Sequence, residues 1–166
     1  MSRIRPDQLL LPSVLDRLID EDPGTQTELP RTRNQLLREL KDNVRRDLEN
    51  LLNTRISLVR IPEYSQHLQK SVVNYGVPDF SIMFGGATER RESLRHDVEE
   101  AIRRFETRLK SETVSVELVM DPNDIARRVI RFRIDGVLHA EPAPEPVKFD
   151  SLLSVSQNEF QVKTLL

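Results

Sequence analysis

The chain has no cysteine. That absence excludes a disulfide framework, a thiolate metal site and a cysteine nucleophile together, and it suits a reducing compartment. An excess of charge is missing too: 25 Lys and Arg stand against 27 Asp and Glu, a formal net charge of −2. Such a balance lacks the basic field of a general nucleic-acid binder, so no nucleic-acid partner is expected. The longest apolar runs, such as Leu9-Leu10-Leu11, are far too short to span a bilayer, so direct membrane insertion is not expected. No basic and then apolar leader with a small-residue cleavage site opens the sequence, which argues against secretion by a signal peptide.

Catalytic motifs are also lacking. There is no G-x-x-x-x-G-K-[ST] loop, G-x-G-x-x-G fingerprint, H-E-x-x-H pair or G-x-S-x-G elbow. His67, His96 and His139 fall on unrelated segments, which predicts partly exposed histidines and not a metal site. No cofactor is expected. A carboxylate pair is the most tempting enzymatic reading, because glycoside hydrolysis needs an acid and a base or nucleophile at a fixed separation. Glu106 is the best single candidate, at a helix end where burial could raise its pKa, yet Arg104 and Arg108 beside it would act in the opposite direction.

What remains is a lean, salt-rich chain: 37% apolar, 5% aromatic and 31% charged over 166 residues, enough for one domain with an extension. Residues 1–30 differ from the rest. Val14, Leu15, Leu18 and Ile19 continue an apolar stripe begun at Leu9, and Asp20-Glu21-Asp22-Pro23-Gly24 and Pro30 read as an acidic linker. Ser13 could cap a short helix starting at Val14 with Asp16 in its first turn. The segment reads as a docking arm, and residues 31–166 as the domain proper.

In the domain, Leu36, Leu37, Leu40, Val44, Leu48, Leu51 and Leu52 recur at three- and four-residue steps and predict a helix over 33–52, with Thr32 and Gln35 at capping-box spacing. The opposite face carries Arg38, Lys41, Arg45 and Arg46, read as solvated charges. A second helix is predicted over 64–75, burying Leu68, Val72 and Tyr75 and stopped by Gly76. A third is predicted over 89–109, with Leu94, Val98, Ala101, Ile102, Phe105 and Leu109 on one face. After Lys110 the period becomes two. Val114, Val116, Leu118 and Met120 predict one strand, and Ile130, Phe132 and Ile134 a second. Asp135-Gly136 marks either a hairpin turn or a bulge, and 141–146, with three prolines, an edge or crossover. Weaker strand signals lie at 147–149 and 160–162. The expected class is α+β: N-terminal helices packed on a small C-terminal antiparallel sheet.

Three polar segments do not read as solvated filler. Asn53-Thr54-Arg55 ends the first helix, Tyr75-Gly76-Val77-Pro78-Asp79-Phe80 sets two aromatics around a rigid turn, and Glu106-Thr107-Arg108 places a charge pair between the apolar anchors Phe105 and Leu109. Joined to Leu11-Pro12-Ser13-Val14-Leu15-Asp16-Arg17-Leu18, Arg46-Asp47-Leu48-Glu49 and Phe132-Arg133-Ile134-Asp135-Gly136, in this order, they make the chain resemble the TssE family. These are small baseplate subunits of bacterial type VI secretion systems, similar to the wedge proteins of contractile phage tails once labelled lysozyme-like. One departure is visible: the family shows Phe-Glu-Pro-Arg-Leu where this chain has Thr107, and threonine lets the helix run on a little.

The resemblance implies a cytoplasmic, non-enzymatic structural subunit, assembled at the cytoplasmic side of the inner membrane. Its partners would be the wedge subunits TssF and TssG and the contractile sheath subunits TssB and TssC, with TssK and the inner tube as further neighbours. Glu106, Thr107 and Arg108 would make polar contacts in the baseplate or to the sheath, and Arg131 and Arg133 would help choose a strand added at a sheet edge. Val14, Leu15 and Leu18 would dock the arm, while Asn53 and Arg55 would hold the helix end against the Tyr75–Phe80 loop. A peptidoglycan-cleaving glycosidase is the alternative that the older label suggests.

Overall fold

The computed structural model describes residues 32–56, 61–62, 64–79, 88–119, 121, 128–140 and 143–165, together with Asp16, Leu18 and Gly24. Helix α1 spans Arg33–Asn53. Thr32 caps it in a complete capping box, its hydroxyl accepting the Gln35 N–H while the Gln35 side chain accepts the Thr32 N–H. Leu37, Leu40, Val44, Leu48, Leu51 and Leu52 are buried along its inner face, as the periodicity requires.

The predicted helix over 64–75 does not form as one piece. A four-residue helix α2, Gln66–Gln69, is followed by a single 3₁₀ turn, Val72–Asn74. Ser71 divides them: its hydroxyl donates to the Leu68 carbonyl and also accepts the Val73 N–H, so it competes with the helical ladder. Leu68 and Val72 are consequently exposed, while Tyr75 alone of the three packs against the core. Gly76 has φ of 116°, and a Cβ there would lie 2.4 Å from the Thr54 carbonyl oxygen. Only glycine allows the backbone to come this close, and the approach forms the parallel bridge between Arg55 and Val77.

Helix α3 spans Thr88–Phe105, four residues shorter at its end than the periodicity suggests. Leu109 is buried as expected, but outside the helix, bridged to Leu138. After a 3₁₀ turn at Ser111–Thr113 come four strands, β1 (Ser115–Val119), β2 (Val129–Leu138), β3 (Glu145–Ser154) and β4 (Glu159–Leu165), an antiparallel meander in that order. The fold is α+β, with helices first and the sheet after.

Asp135-Gly136 is neither a turn nor a bulge. β2 runs straight through it in unbroken register from Val129↔Ser154 to Leu138↔Glu145. Gly136 lies against Leu109, and a Cβ there would only touch the Leu109 side chain at an ordinary contact distance of 3.4 Å. The weak signals at 147–149 and 160–162 fall in the first halves of longer strands. Pro146 fits inside β3 because Val137, opposite it, turns its N–H and C=O toward Thr113 and Lys110. The pair is therefore not hydrogen-bonded, and the Pro146 nitrogen faces the side where β4, whose pairing begins at Lys148, does not reach.

One sheet face carries Val116, Phe132, Ile134, Val147, Phe149, Leu153, Phe160 and Val162, all buried. Helix α1 lies on it beside β4 and α3 beside β1. Phe132 and Phe160 meet with ring centroids 6.0 Å apart. At about 1.5–3 kcal/mol for each large apolar side chain removed from water, this layer is the main stabilising term.

Candidate functional site: a charge cluster at the helix–strand junction

Helix α3 stops where Glu106 begins. The Glu106 N–H makes the last helical bond, to Ile102, and its carboxylate then turns forward to accept the backbone N–H of Arg108 at 3.0 Å. Arg108 and Leu109 are meanwhile pinned to the end of β2: the His139 N–H donates to the Arg108 carbonyl, and the Lys110 N–H to that of Val137. These contacts end the helix without a proline. The expectation that Thr107 lets the helix continue is thus corrected; Thr107 sits exposed at the tip of the turn.

The Arg108 guanidinium closes back on Glu106, with Nε 2.8 Å from Oε1 and Nη2 2.6 Å from Oε2. The same Nη2 reaches Asp47 Oδ2 of α1 at 2.7 Å. Burial works against the charge on Arg108, but the hydrogen bonds and charges of Glu106 and then Asp47 outweigh it and hold its pKa above the usual arginine range. Arg108 Nη1 is buried without a hydrogen-bond partner. Tyr75 packs edge-on against Phe105, centroids 5.2 Å apart. Burial first, and then the negative charges of Asp47 and Glu106, push its phenol pKa up.

The cluster continues along α1. Arg46 bonds Asp47 through Nε at 3.2 Å and pairs with Asp16 of the N-terminal segment, whose carboxylate is 5% exposed. Asp16 and Leu18 are helical, and Leu18 is 76% exposed; Ser13, Val14 and Leu15 lie outside the described residues. Asp47 and Asp16 were missed as members of this site. Asp47 stands within the Arg46-Asp47-Leu48-Glu49 segment, but nothing local shows that a residue 61 positions away will meet it. The reading of Lys41, Arg45 and Arg46 as solvated is likewise corrected, since Lys41 pairs with Glu145 at 2.9 Å and Arg45 with Glu49 at 2.7 Å.

Asn53, Thr54 and Arg55 do anchor the end of α1, mostly to something other than expected. Asn53 accepts the Phe160 N–H at 2.8 Å and donates to the Phe160 carbonyl at 2.9 Å, so it clasps β4. Arg55 donates to Leu52 and Asn158 carbonyls, and Thr54 to that of Asn50. The loop is held instead by backbone, Val77 N–H to Thr54 and Ile56 N–H to Val77, and by Asp79 accepting from Asn158 at 2.8 Å. Pro78 is partly buried beside it, and Phe80 lies outside the described residues. Arg131 and Arg133 are on the sheet face away from the helices.

Both sheet edges are partly closed by helix side chains. Along β1, buried Glu99 accepts the outward Val116 N–H at 3.2 Å, while Arg95 and Arg103 donate to the Val116 and Val114 carbonyls at 3.3 and 2.8 Å. Glu99 also binds Arg95 and Arg103, each at 2.7 Å. Along β4, Asn53 takes both outward groups of Phe160, and Arg45 donates to the Val162 carbonyl at 3.4 Å. Among the described residues no helix side chain holds the outward groups of Leu118 and Thr164, so those ends of the edges are the more open.

Chemically, this arrangement can hold and orient, and it offers little for acid–base work. Both Glu106 oxygens are occupied by Arg108. Among the described residues no group of three or more His, Asp or Glu could hold a metal ion, and no helix is long and apolar enough to cross a membrane. The family model for the baseplate wedge protein gp25 matches residues 38–143, which include most of α1, the junction cluster and all of β2. The chain belongs to the baseplate wedge protein gp25 family. TssE belongs to the same family. No curated protein and no solved structure matched the chain. In this gp25-family chain the Glu106–Arg108–Asp47 cluster falls inside the matched stretch, whereas the Asp16 segment and the β3–β4 hairpin lie beyond it.

Proposed function

We propose that the chain is a structural, non-enzymatic baseplate subunit of a type VI secretion system, working on the cytoplasmic side of the inner membrane. In this reading it joins a wedge with TssF and TssG and helps to nucleate or anchor the TssB/TssC sheath, with TssK and the inner tube nearby. The observation that carries it is the gp25-family match over residues 38–143, which contains the junction cluster. Residues 106–108 form a rigid knuckle between α3 and β1, and the exposed Thr107 presents it to a neighbour. Arg108 would act mainly by holding Glu106 and Asp47 in place, leaving Nη1 for a partner acceptor that displaces the side chains over it. Leu18, largely exposed beside the Asp16–Arg46 pair, suits an arm that docks elsewhere. Sheath contact by strand addition would use the open edge ends at Leu118 and Thr164, and Arg131 and Arg133 would restrict which strand adds.

The test is co-purification of the chain with TssF and TssG, with Thr107→Tyr and Arg108→Glu run beside the native sequence. Thr107→Tyr adds bulk at an exposed position, so it should fold normally yet weaken the complex. A folded native chain that captures neither protein would sink the wedge assignment.

A further inference from the structure

The sheet face turned away from the helices carries a row of alternating charge. In register across the four strands lie Glu117, Arg133, Asp150 and Lys163, one from each strand. Their strand neighbours Val116, Phe132, Ile134, Phe149, Ser151 and Val162 are buried in the core, so the row stands on the opposite face, where side chains alternate outward. Among the described residues α1 and α3 pack on the core face and neither covers the row. Glu117 and Lys163 are exposed, and Arg133 keeps 42% of its side-chain surface. Within the chain the central pair is loose: Arg133 Nε stands 3.9 Å from Asp150 Oδ1, both atoms are buried without a hydrogen-bond partner, and the Asp150 side chain keeps 19% of its surface.

We propose that this face is the contact between two copies of the chain. The two-fold axis would lie in the interface, run along the strands and pass between β2 and β3. Such an axis keeps height along the strands and reverses strand order. Glu117 of one copy then meets Lys163 of the other, and Arg133 meets Asp150, each contact occurring twice. The adjacent row obeys the same operation: Asp135, which pairs with Lys148 in its own chain at 2.8 Å, meets Lys148 of the second copy. Beyond it, Val137 meets Pro146. An axis along the row would instead set every charge on its own copy, so self-association is compatible with only one of these orientations. Stacking two sheets about 10 Å apart lets such side chains interdigitate. The inference does not depend on the wedge reading.

Sedimentation velocity on the full chain tests it. The native chain should form dimers that dissociate as salt rises from about 0.01 to about 1 M, over which screening shortens from about 30 to about 3 Å. Glu117→Lys should weaken the dimer by about tenfold or more, through two like-charge contacts. Lys163→Glu alone should do the same, and Glu117→Lys with Lys163→Glu should restore it. Glu117 and Lys163 sit on opposite edges, three strand spacings or roughly 14 Å apart, so that rescue reports a contact between copies and not within one. Unchanged melting temperatures would show that every variant folds. A native chain that stays monomeric at low salt, a dimer indifferent to Glu117→Lys, or a double variant that fails to recover would each overturn the proposal.

Discussion

At the scale of single residues, the consequences follow from what each side chain would strand if it were removed. Glu106 is 6% exposed, and both its oxygens are bonded to Arg108. Arg108→Ala would leave that carboxylate without its cation and free Asp47 from the junction, so we expect a loss of about 2–4 kcal/mol, read by urea denaturation. Lysine supplies the charge without the forked geometry, and Arg108→Lys should recover only part of the loss. Gly76 is limited by space and dihedral together. Gly76→Ala would set a methyl group against the Thr54 carbonyl at positive φ, for a cost of about 2–4 kcal/mol in the same experiment. Asp97 responds to pH. Burial raises its pKa from 3.8, and the charge of His96 offsets this in part. The native state therefore holds its proton more tightly than the unfolded chain, so this contribution is full below the ordinary carboxylate value and is lost as pH rises through the raised one. Asp97→Asn should match the native protein near pH 3 and exceed it near pH 7, by an amount set by the shift, in denaturation series between about those two values.

The elements depend on one another through their edges. β1 and β4 are each exposed on one side, and unpaired edges invite pairing with other chains. Here Glu99 of α3 and Asn53 of α1 occupy the outward backbone groups instead. Glu99→Ala should cost about 1–3 kcal/mol and speed hydrogen exchange at the Val116 amide, while Asn53→Ala should do the same at Phe160 for about 1–2 kcal/mol. If either amide exchanged at its native rate, the clasp would be idle. The elements themselves were legible to differing degrees, for physical reasons. α1 announces itself because six buried side chains recur on one face and a capping box fixes its start. The segment 64–75 shows the same spacing but lacks a tertiary surface to cover Leu68 and Val72, and Ser71 diverts the backbone. β3 and β4 are legible only in part, because polar residues, among them Asp150, Ser151 and Ser154 in β3 and Glu159 and Lys163 in β4, interrupt or flank their apolar positions. At the site, Glu106 and Arg108 are two residues apart and readable together. Asp47, Asp16 and the edge clasps join residues up to 117 positions apart, and their side chains look like ordinary solvated groups until the sheet is assembled.

At the scale of the whole molecule, the proposed N-terminal arm and the buried core can be tested separately. Among the described residues the buried apolar core begins at Leu37, and the N-terminal segment is linked to it by the Asp16–Arg46 pair. Arg46 is about one-third exposed and the Asp16 carboxylate 5%, so the pair is half-buried and holds more than an exposed surface contact would. We therefore expect that deleting residues 1–30 leaves a single cooperative unfolding transition, with stability lower by about 1–3 kcal/mol, since Arg46 keeps Asp47 as a partner. Binding should respond differently. If the exposed Leu18 belongs to a docking arm, the truncated chain should lose affinity for the TssF and TssG wedge by about tenfold or more while keeping its fold, since burying even one leucine contributes about 1.5–3 kcal/mol. Calorimetry on the truncated chain, alongside a pull-down with the wedge proteins, separates the two effects. A large drop in melting temperature would place the segment in the core, and normal binding by a stable truncated chain would remove the arm from the assembly and leave the junction cluster to carry the contact.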